Sequence, residues 1–322
     1  MSKINFGRYS FNTSNEEKIF FPRSTITKGE MIDYYNKISE IMLPYIQDRP
    51  VSMLRLPDGI KGESFFQKDA SGYFPNWIKT KKIKKQKGSV NYVICNNKAS
   101  LVYLANQACI TPHVWLSKTT KLNYPDRLIF DLDPPAKDNG FDKVKSAARI
   151  IYKFLNEELY LKSYLMTTGS RGLHIVIPVY TNNGFDTVRE LAQNISKVIS
   201  NRYPEELTIE VRKNKRRGRI FLDTARNAYA QTAVPPFSVR PKENAPVATP
   251  IYWDELSNKK LDSQSYNVKN IFKRLDEISD PWKDINKNKN GLKKAGEILN
   301  GIMKDELGWK ENNFAEHIIP FI

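Results

Sequence analysis

The sequence is poor in the residues that cross-link small proteins or bind soft metal ions. Among its 322 residues are two cysteines, Cys95 and Cys109, and three histidines, His113, His174 and His317. Two cysteines are too few for a disulfide framework or for a cysteine-based zinc site. Any metal ion held by this chain must therefore rest mainly on carboxylates.

Long apolar runs are also absent. No stretch reaches the eighteen apolar residues that a membrane-spanning helix needs. The N-terminal segment MSKINFGRYSFNTSNEEK lacks the apolar stretch of a secretory signal peptide. We therefore expect a cytoplasmic protein that has no membrane partner.

Acidic residues are fewer than basic residues. Lysine and arginine total 51 against 35 aspartates and glutamates, which gives a net charge of +16 and a pI near 9.6. Such an excess makes a polyanion the default partner. Hydrophobic residues at 40% and aromatic residues at 11% are typical of a globular chain, and the length allows one large domain or two ordinary ones.

The spacing of the apolar residues predicts helices and strands in alternation. A helix is predicted from Thr27, which forms a capping-box pattern with Glu30, to Pro44. Further helices are predicted at 98–108, 141–159 and 185–203, and strands at 51–56, 90–95, 126–133, 161–167, 172–180, 207–212 and 218–223. Because several strands are adjacent in sequence, we expect a mixed fold with partly antiparallel sheets.

Three segments are predicted to lie outside this regular pattern. Residues 79–88, KTKKIKKQKG, are expected to form a basic loop. Residues 234–250 are too rich in proline for regular structure. Beyond residue 257 the composition turns to Lys, Asn and Asp, which indicates peripheral helices and solvated linker.

Two aspartates close the apolar strand at 126–133. Asp131 and Asp133 stand two residues apart, so both carboxylates project from the same face of the strand. Neighbouring carboxylates repel unless a cation lies between them, and Mg²⁺ and Mn²⁺ take such oxygen ligands. The alternative is a pair of surface acids in a turn.

Two other segments offer groups to an anion or a metal ion. The turn at 169–172, Gly-Ser-Arg-Gly, presents N–H groups, a hydroxyl and a guanidinium to an anion, with His174 beside it, unless it is simply a polar hairpin turn. Asp223 closes another apolar strand as a third carboxylate ligand or a strand-end cap, and Arg226 and Gln231 follow it. Together these features suggest metal-dependent phosphoryl or nucleotidyl transfer.

Longer motifs connect the same segments. DLDPP at 131–135, GSRGLH at 169–174, FLDTARN at 221–227 and SVRPKENAPVATP at 238–250 resemble, in order and spacing, the polymerase domain of bacterial ATP-dependent DNA ligase D, of the archaeo-eukaryotic primase superfamily. The resemblance extends back through GESFFQK, DRPVSMLRLPDG, ITKGEMIDYY and EKIFFP. It implies an α+β catalytic core of the primase-polymerase type over residues 1–257, with mixed, largely antiparallel sheets flanked by helices. Residues 258–322 would be a peripheral C-terminal extension.

The resemblance also implies roles for individual residues. Two Mn²⁺ or Mg²⁺ ions would be bound by the catalytic residues Asp131, Asp133 and Asp223. The incoming NTP or dNTP would be bound by Ser170, His174, Arg226, Arg240 and Lys242, with His113 near its sugar and base. A DNA 5′-phosphate would be bound by Lys18 and Lys28, and the template base would stack on Phe65 and Phe66. Otherwise, the lysines would be solvated, at least one of the two rings would lie in the core, and His113 would be a buried strand histidine.

The activity that the resemblance implies is template-dependent nucleotidyl transfer, often of ribonucleotides, at short gaps and broken DNA ends that bear a 5′-phosphate. The expected context is double-strand break repair by non-homologous end joining at the nucleoid, with Ku and a DNA ligase as partners. Excision-repair gap filling, primer synthesis, a catalytically silent end-bridging module and a nuclease are the alternatives. The basic loop either is solvated or adds nonspecific affinity for DNA.

Overall fold

The computed structural model describes residues 2–135, 140–309 and 314–319. Within them the strands are β1 (Lys3–Phe6), β2 (Tyr9–Asn12), β3 (Ile19–Phe21), β4 (Ile26–Thr27), β5 (Pro50–Arg55), β6 (Phe65–Gln67), β7 (Thr80–Lys84), β8 (Ser89–Ile94), β9 (Cys109–Trp115), β10 (Arg127–Asp133), β11 (Tyr164–Thr167), β12 (Leu173–Pro178), β13 (Leu207–Thr208), β14 (Ile220–Asp223), β15 (Thr232–Ala233) and β16 (Thr249–Ile251). The α-helices are α1 (Lys28–Ile46), α2 (Lys98–Asn106), α3 (Phe141–Lys153), α4 (Phe185–Arg202), α5 (Ile271–Glu277) and α6 (Lys293–Leu307).

The chain divides into two compact units, each assembled from three stretches of sequence. The first unit contains Met1–Thr120, Thr232–Thr249 and Gln264–Ile278, and the second contains Lys121–Gln231, Pro250–Ser263 and Ser279–Ile322. This partition differs from the predicted division after residue 257. It does so because the C-terminal segment contributes buried apolar residues to both units, Ile271 to the first and Trp282, Leu299 and Met303 to the second.

The first unit is built on a sheet with the order β15-β9-β5-β8-β7, in which β6 also pairs with β5. Helix α1 begins as the sequence predicts: the Thr27 hydroxyl accepts from the Glu30 amide, and the Glu30 carboxylate accepts from the Thr27 amide. The helix continues through Pro44 to Ile46, two residues beyond the predicted end. Its inner face buries Met31, Tyr35 and Ile38 against the core.

The second unit is built on a sheet with the order β13-β14-β10-β12-β11-β16. Strand β10 pairs antiparallel with β12 and with β14, β11 pairs antiparallel with β12, and β13 runs parallel to β14. Helices α3 and α4 pack against β10, and buried Leu132 is part of this core. The predicted α+β class with mixed, largely antiparallel sheets is confirmed.

The basic segment at 79–88 is not a loop, so that prediction is wrong. Residues Thr80–Lys84 form strand β7, which pairs antiparallel with β8. Only Ile83 of this strand is buried, while its lysines are exposed. An edge strand with charged, solvated side chains lacks the alternating apolar signal on which a sequence-based strand prediction depends.

Two further predictions hold in part. Of the strand predicted at 207–212, Leu207 and Thr208 alone pair, within the part of the chain that the structure describes. The proline-rich stretch at 234–250 is mainly irregular but ends in β16, and Val239 and Val247 form an isolated antiparallel bridge. The described ranges contain no helix long and apolar enough to cross a membrane.

Candidate active site

A row of polar side chains crosses three adjacent strands of the second unit. Asp131 on β10 lies directly opposite Asp223 on β14 and directly opposite His174 on β12. Residues in register on neighbouring strands project from the same face of a sheet. Asp133, two residues further along β10, therefore shares that face. The row brings together the three predicted carboxylates and one of the predicted nucleotide-binding residues.

Two basic side chains lie close to Asp131. His174 Nε2 lies 3.5 Å from Asp131 Oδ1, and Arg226 Nε lies 3.8 Å from Asp131 Oδ2. Asp131 and His174 are both buried. A buried carboxylate is costly unless such partners offset its lost hydration. The second unit thus places an imidazole and a guanidinium beside the acid at the centre of the row.

Burial and neighbouring like charges both act on the Asp133 carboxyl. Burial raises the pKa of the Asp133 carboxyl, and the neighbouring Asp131 and Asp223 carboxylates raise it further. Arg171 and Arg216 oppose this by lowering the pKa. A bound divalent cation would favour the ionised carboxylates.

The turn before His174 is held by its own hydroxyl group. Thr168 Oγ1 accepts from the backbone amides of Ser170, at 3.3 Å, and Gly172, at 3.2 Å. A side chain at Gly172 would place its Cβ 2.0 Å from the Leu132 carbonyl oxygen, so only glycine allows β12 to start here against β10. Two of the amides predicted to face an anion are thus used within the turn. The anion-binding role of the turn stays a prediction.

Asp223 acts as a strand-end cap in this structure. Its Oδ1 accepts from the Ala225 amide at 2.7 Å and so begins the short 3-10 helix Ala225–Asn227. Asn227 fixes that helix to β10, because its side chain donates to the Ile129 carbonyl and accepts from the Ile129 amide. Arg226, between them, reaches Asp131. The motif FLDTARN thus builds one side of the polar row.

The carboxylates are not arranged as a ready metal cage. Among the residues that the structure describes, no group of three His, Cys, Asp or Glu side chains stands in a metal-holding arrangement. The carboxylates of Asp131 and Asp223 are directed at protein partners. Their chemistry nevertheless fits a hard divalent ion, since three carboxylates lie on one face, and burial together with their mutual repulsion raises the pKa of Asp133.

Two arginines act on the row in a way that sequence reasoning missed: Arg171 was offered only to an anion, and Arg216 was given no role. Arg171 and Arg216 both act electrostatically on Asp133. Arg216 is fixed by donating to the carbonyls of Glu210 and Val211, and its guanidinium lies 3.8 Å from the centre of the Phe221 ring. Arg171 belongs to the Gly-Ser-Arg-Gly turn at 169–172, and this motif is a signal from which its role could have been inferred. Arg216 lies within the run KNKRRGR, where nothing distinguishes it from its neighbours.

Lys18 and Lys28 lie together in the first unit. The Lys28 backbone amide donates to the Lys18 carbonyl at 2.8 Å, where α1 begins. Lys28 is buried, and its Nζ donates to the Ser14 carbonyl at 2.6 Å and to the Ser14 hydroxyl at 3.1 Å. Burial lowers the pKa of Lys28 to about 8; Glu16 raises this pKa, and Lys18 and Arg55 lower it. Lys28 is therefore not the solvated lysine of the alternative interpretation.

Phe65 and Phe66 are exposed, at 46% and 55% of their surface, so neither ring lies in the core. Both belong to β6, which pairs with the end of β5. The Phe66 ring meets the His113 ring edge to face, 5.3 Å between centres, and the Arg55 guanidinium lies 5.5 Å from the centre of the Phe65 ring. His113 is buried in β9. Two rings held at a surface are available for stacking.

Arg240 and Lys242 lie in a turn of the first unit that returns the chain to the bridge at Val247. The Arg240 amide donates to the Pro246 carbonyl at 2.8 Å, and the Lys242 amide donates to the Arg240 carbonyl at 2.8 Å. Lys242 is exposed and Arg240 is half-buried. Of the thirteen predicted site residues, six thus belong to the second unit and seven to the first.

Comparisons with known proteins agree with this architecture. The model of the family described as LigD, primase-polymerase domain, matches residues 27–282. The multifunctional non-homologous end joining protein LigD of Mycolicibacterium smegmatis is 31% identical over 269 residues, 83% of this chain and 35% of that protein. The bifunctional non-homologous end joining protein LigD of Bacillus subtilis is 29% identical over 273 residues, 84% of this chain and 43% of that protein.

A solved structure agrees as well. The polymerase domain from Mycobacterium tuberculosis ligase D in complex with DNA matches with a TM-score of 0.81 and 26% identity, covering 87% of this chain and 99% of that one. The predicted primase-polymerase fold is confirmed, while the chain spans less than half the length of the two full-length relatives. Since the family model covers most of the sequence, the chain belongs to the LigD primase-polymerase domain family.

Proposed function

We propose that the protein is a template-dependent nucleotidyltransferase that fills short gaps and extends 3′ ends at DNA breaks with a 5′-phosphate, in non-homologous end joining. The row of Asp223, Asp131 and His174 across three strands supports this most directly. Family membership adds to it, because the relatives are named non-homologous end joining proteins and the M. tuberculosis domain was solved with DNA.

The proposed reaction forms one bond and breaks another. The 3′ oxygen of the primer attacks the α-phosphorus of the nucleotide, the bond to the β-phosphate breaks, pyrophosphate leaves and the hydroxyl proton passes to water. Two Mn²⁺ or Mg²⁺ ions, held by Asp131, Asp133 and Asp223, would lower the pKa of the hydroxyl and offset the charge of the triphosphate. An NTP is the expected substrate, with a dNTP as the alternative.

The remaining side chains of the row suit triphosphate binding. His174 lies beside Asp131 on the face where the acids project and can donate to a phosphate oxygen. Arg226 adds a guanidinium within reach of the same acid, and Ser170 and Arg171 occupy the neighbouring turn. Following the family resemblance, we also assign Arg240 and Lys242 to the triphosphate and His113 to the sugar and base.

On the DNA side, we assign the 5′-phosphate to Lys18 and Lys28 and the template base to Phe65 and Phe66. Lys28 stands at the first position of α1, where the helix dipole adds partial positive charge. Stacking one base on an aromatic ring contributes roughly 1–3 kcal/mol and tolerates any sequence. These are the properties that a gap-filling enzyme requires.

The test is primer extension across a one-nucleotide gap in duplex DNA with Mn²⁺. A 5′-phosphate at the gap is compared with a 5′-hydroxyl, and ribonucleotides with deoxyribonucleotides. We expect template-directed extension that prefers the phosphate. Extension indifferent to the phosphate would contradict the lysine pocket, and tight DNA binding without extension would instead support an end-bridging module.

A second assay addresses the cellular role. Two duplexes with short complementary 3′ overhangs are joined in the presence and absence of Ku and a DNA ligase. End joining predicts that Ku increases fill-in on broken ends but not on a continuous gapped duplex. Efficient synthesis on an unprimed single strand would favour a primase.

A further inference from the structure

One of the two lysines proposed to bind the phosphate, Lys18, is already paired with an acidic residue. Lys18 Nζ forms an ion pair with Asp58 Oδ1 in the first unit. The two side chains are 38% and 69% exposed. An ion pair in this much contact with water is weak, so a stronger anion can displace the carboxylate. A terminal phosphate is such an anion, because it carries close to two negative charges near neutral pH.

The fold holds Asp58 in place by two close approaches of the backbone. Asp58 stands in the turn after β5, and the following Gly59 has a φ of +73°, with the site of a Cβ only 2.8 Å from Phe20 Cα. Ile60 donates its amide to the Phe20 carbonyl at 2.9 Å. On the other side, a Cβ at Gly62 would come within 2.5 Å of Asp58 Cβ. The turn is thus fixed against β3, the strand that follows Lys18.

Lys28 differs from Lys18 in its partners. Its Nζ donates to the carbonyl and hydroxyl oxygens of Ser14, which are neutral acceptors. The nearby Glu16 carboxylate accepts from the Thr13 hydroxyl and the Ser2 amide. Asp58 is therefore the acid that competes most directly for the positive charge of this site, and it does so through Lys18.

We propose that Asp58 is an internal counter-ion that holds Lys18 when no phosphate is bound and sets how strongly the protein distinguishes a 5′-phosphate from a 5′-hydroxyl. This inference rests on the proposed role of Lys18 and Lys28. Binding of the phosphate breaks the Lys18–Asp58 pair and leaves Asp58 facing water. Removing the carboxylate therefore tightens binding of the phosphate form, by about the two- to five-fold that an exposed ion pair represents.

The experiment measures the affinity for gapped duplex DNA by fluorescence anisotropy at low salt, with a 5′-phosphate or a 5′-hydroxyl at the gap. The variants are Asp58→Asn, Lys18→Ala and the double variant. Asp33→Asn is the matched control, since it also removes one acid from an exposed ion pair with a lysine of the first unit, Lys37. The ratio of the two dissociation constants cancels effects of net charge that are common to both duplexes.

We expect Asp58→Asn to raise the preference for phosphate about two- to five-fold and Asp33→Asn to leave it unchanged. In the Lys18→Ala background, Asp58→Asn should have no further effect. If Lys18→Ala abolishes the preference but Asp58→Asn behaves as Asp33→Asn does, the counter-ion role is refuted and the phosphate pocket stands. If the wild-type protein shows no preference, the pocket itself fails, and the role of Asp58 fails with it.

Discussion

The polar contacts of the candidate active site converge on a single residue, Asp131. Two acids, Asp133 and Asp223, the imidazole of His174 and the guanidinium of Arg226 surround it. This balance explains how a strand with a buried apolar half can end in two carboxylates without unfolding. It also means that the substitution of one partner changes the charge that all the others experience.

The lowered pKa of Lys28 predicts that the preference for a 5′-phosphate depends on pH. A protonated lysine binds a phosphate, and burial lowers the pKa of Lys28 to about 8. The charged fraction therefore falls as pH rises through that value, and the preference for a 5′-phosphate should weaken between about pH 7 and about pH 9. The ratio of dissociation constants for the 5′-hydroxyl and 5′-phosphate duplexes measures this preference at each pH. A constant ratio over this range would contradict the assignment.

The same pKa has a consequence for stability. Because it is lower in the folded protein than in the unfolded chain, the unfolded chain binds more protons between pH 8 and the ordinary lysine range. The contribution of Lys28 to the free energy of unfolding should accordingly rise with pH across this window. Binding of a phosphate favours the charged form of Lys28 and therefore raises the pKa of Lys28.

Among the elements of the fold, the start of α1 connects helix stability with the proposed phosphate site. Thr27→Ala removes the hydroxyl that accepts from the Glu30 amide, one residue before Lys28. We expect the free energy of unfolding, measured in urea, to fall by about 1 kcal/mol. The phosphate preference should fall as well, because the first turn frays. Thr120→Ala, at an exposed threonine outside the helices, is the control, and an equal loss there would remove the cap from the explanation.

Strand β7 predicts a change in salt dependence. Lys81, Lys82 and Lys84 are exposed along this edge strand. If they contact DNA phosphates, the combined Lys→Gln variant should reduce the slope of log affinity against log salt by up to about 0.9 per lost contact. A variant with Lys283, Lys287 and Lys289 changed to Gln removes the same charge elsewhere. Equal slopes for both variants would show that the strand is merely solvated.

Across the whole molecule, features that depend on residues close together in sequence were predicted, whereas contacts between residues far apart in sequence were not. The Thr27–Glu30 capping box and the Asp131–Asp133 pair depend on residues a few positions apart, and the structure forms the cap and places the pair as the spacing indicates. The Lys18–Asp58 pair joins residues forty positions apart, and no local pattern marks it. Likewise, Trp282 and Leu299 are buried although a Lys/Asn-rich composition surrounds them, since burial depends on the fold and not on the average of a segment.

The net charge of +16 favours DNA binding by any variant that folds, so binding alone does not test the account. The rate of catalysis after one acid is removed does test the carboxylate site. Asp133→Asn removes one carboxylate and keeps nearly the same shape. Asp284→Asn, at a partly exposed acid that pairs with Lys287, is the matched control.

The decisive measurement is kcat/KM for incorporation of one ribonucleotide at a 5′-phosphorylated gap with Mn²⁺, together with DNA affinity. We expect Asp133→Asn to lower kcat/KM at least about a hundredfold, since several kcal/mol of transition-state stabilisation would depend on the proposed metal ligands. DNA affinity should stay the same or increase, and Asp284→Asn should resemble the wild type. Incorporation by Asp133→Asn at the wild-type rate would contradict the carboxylate site.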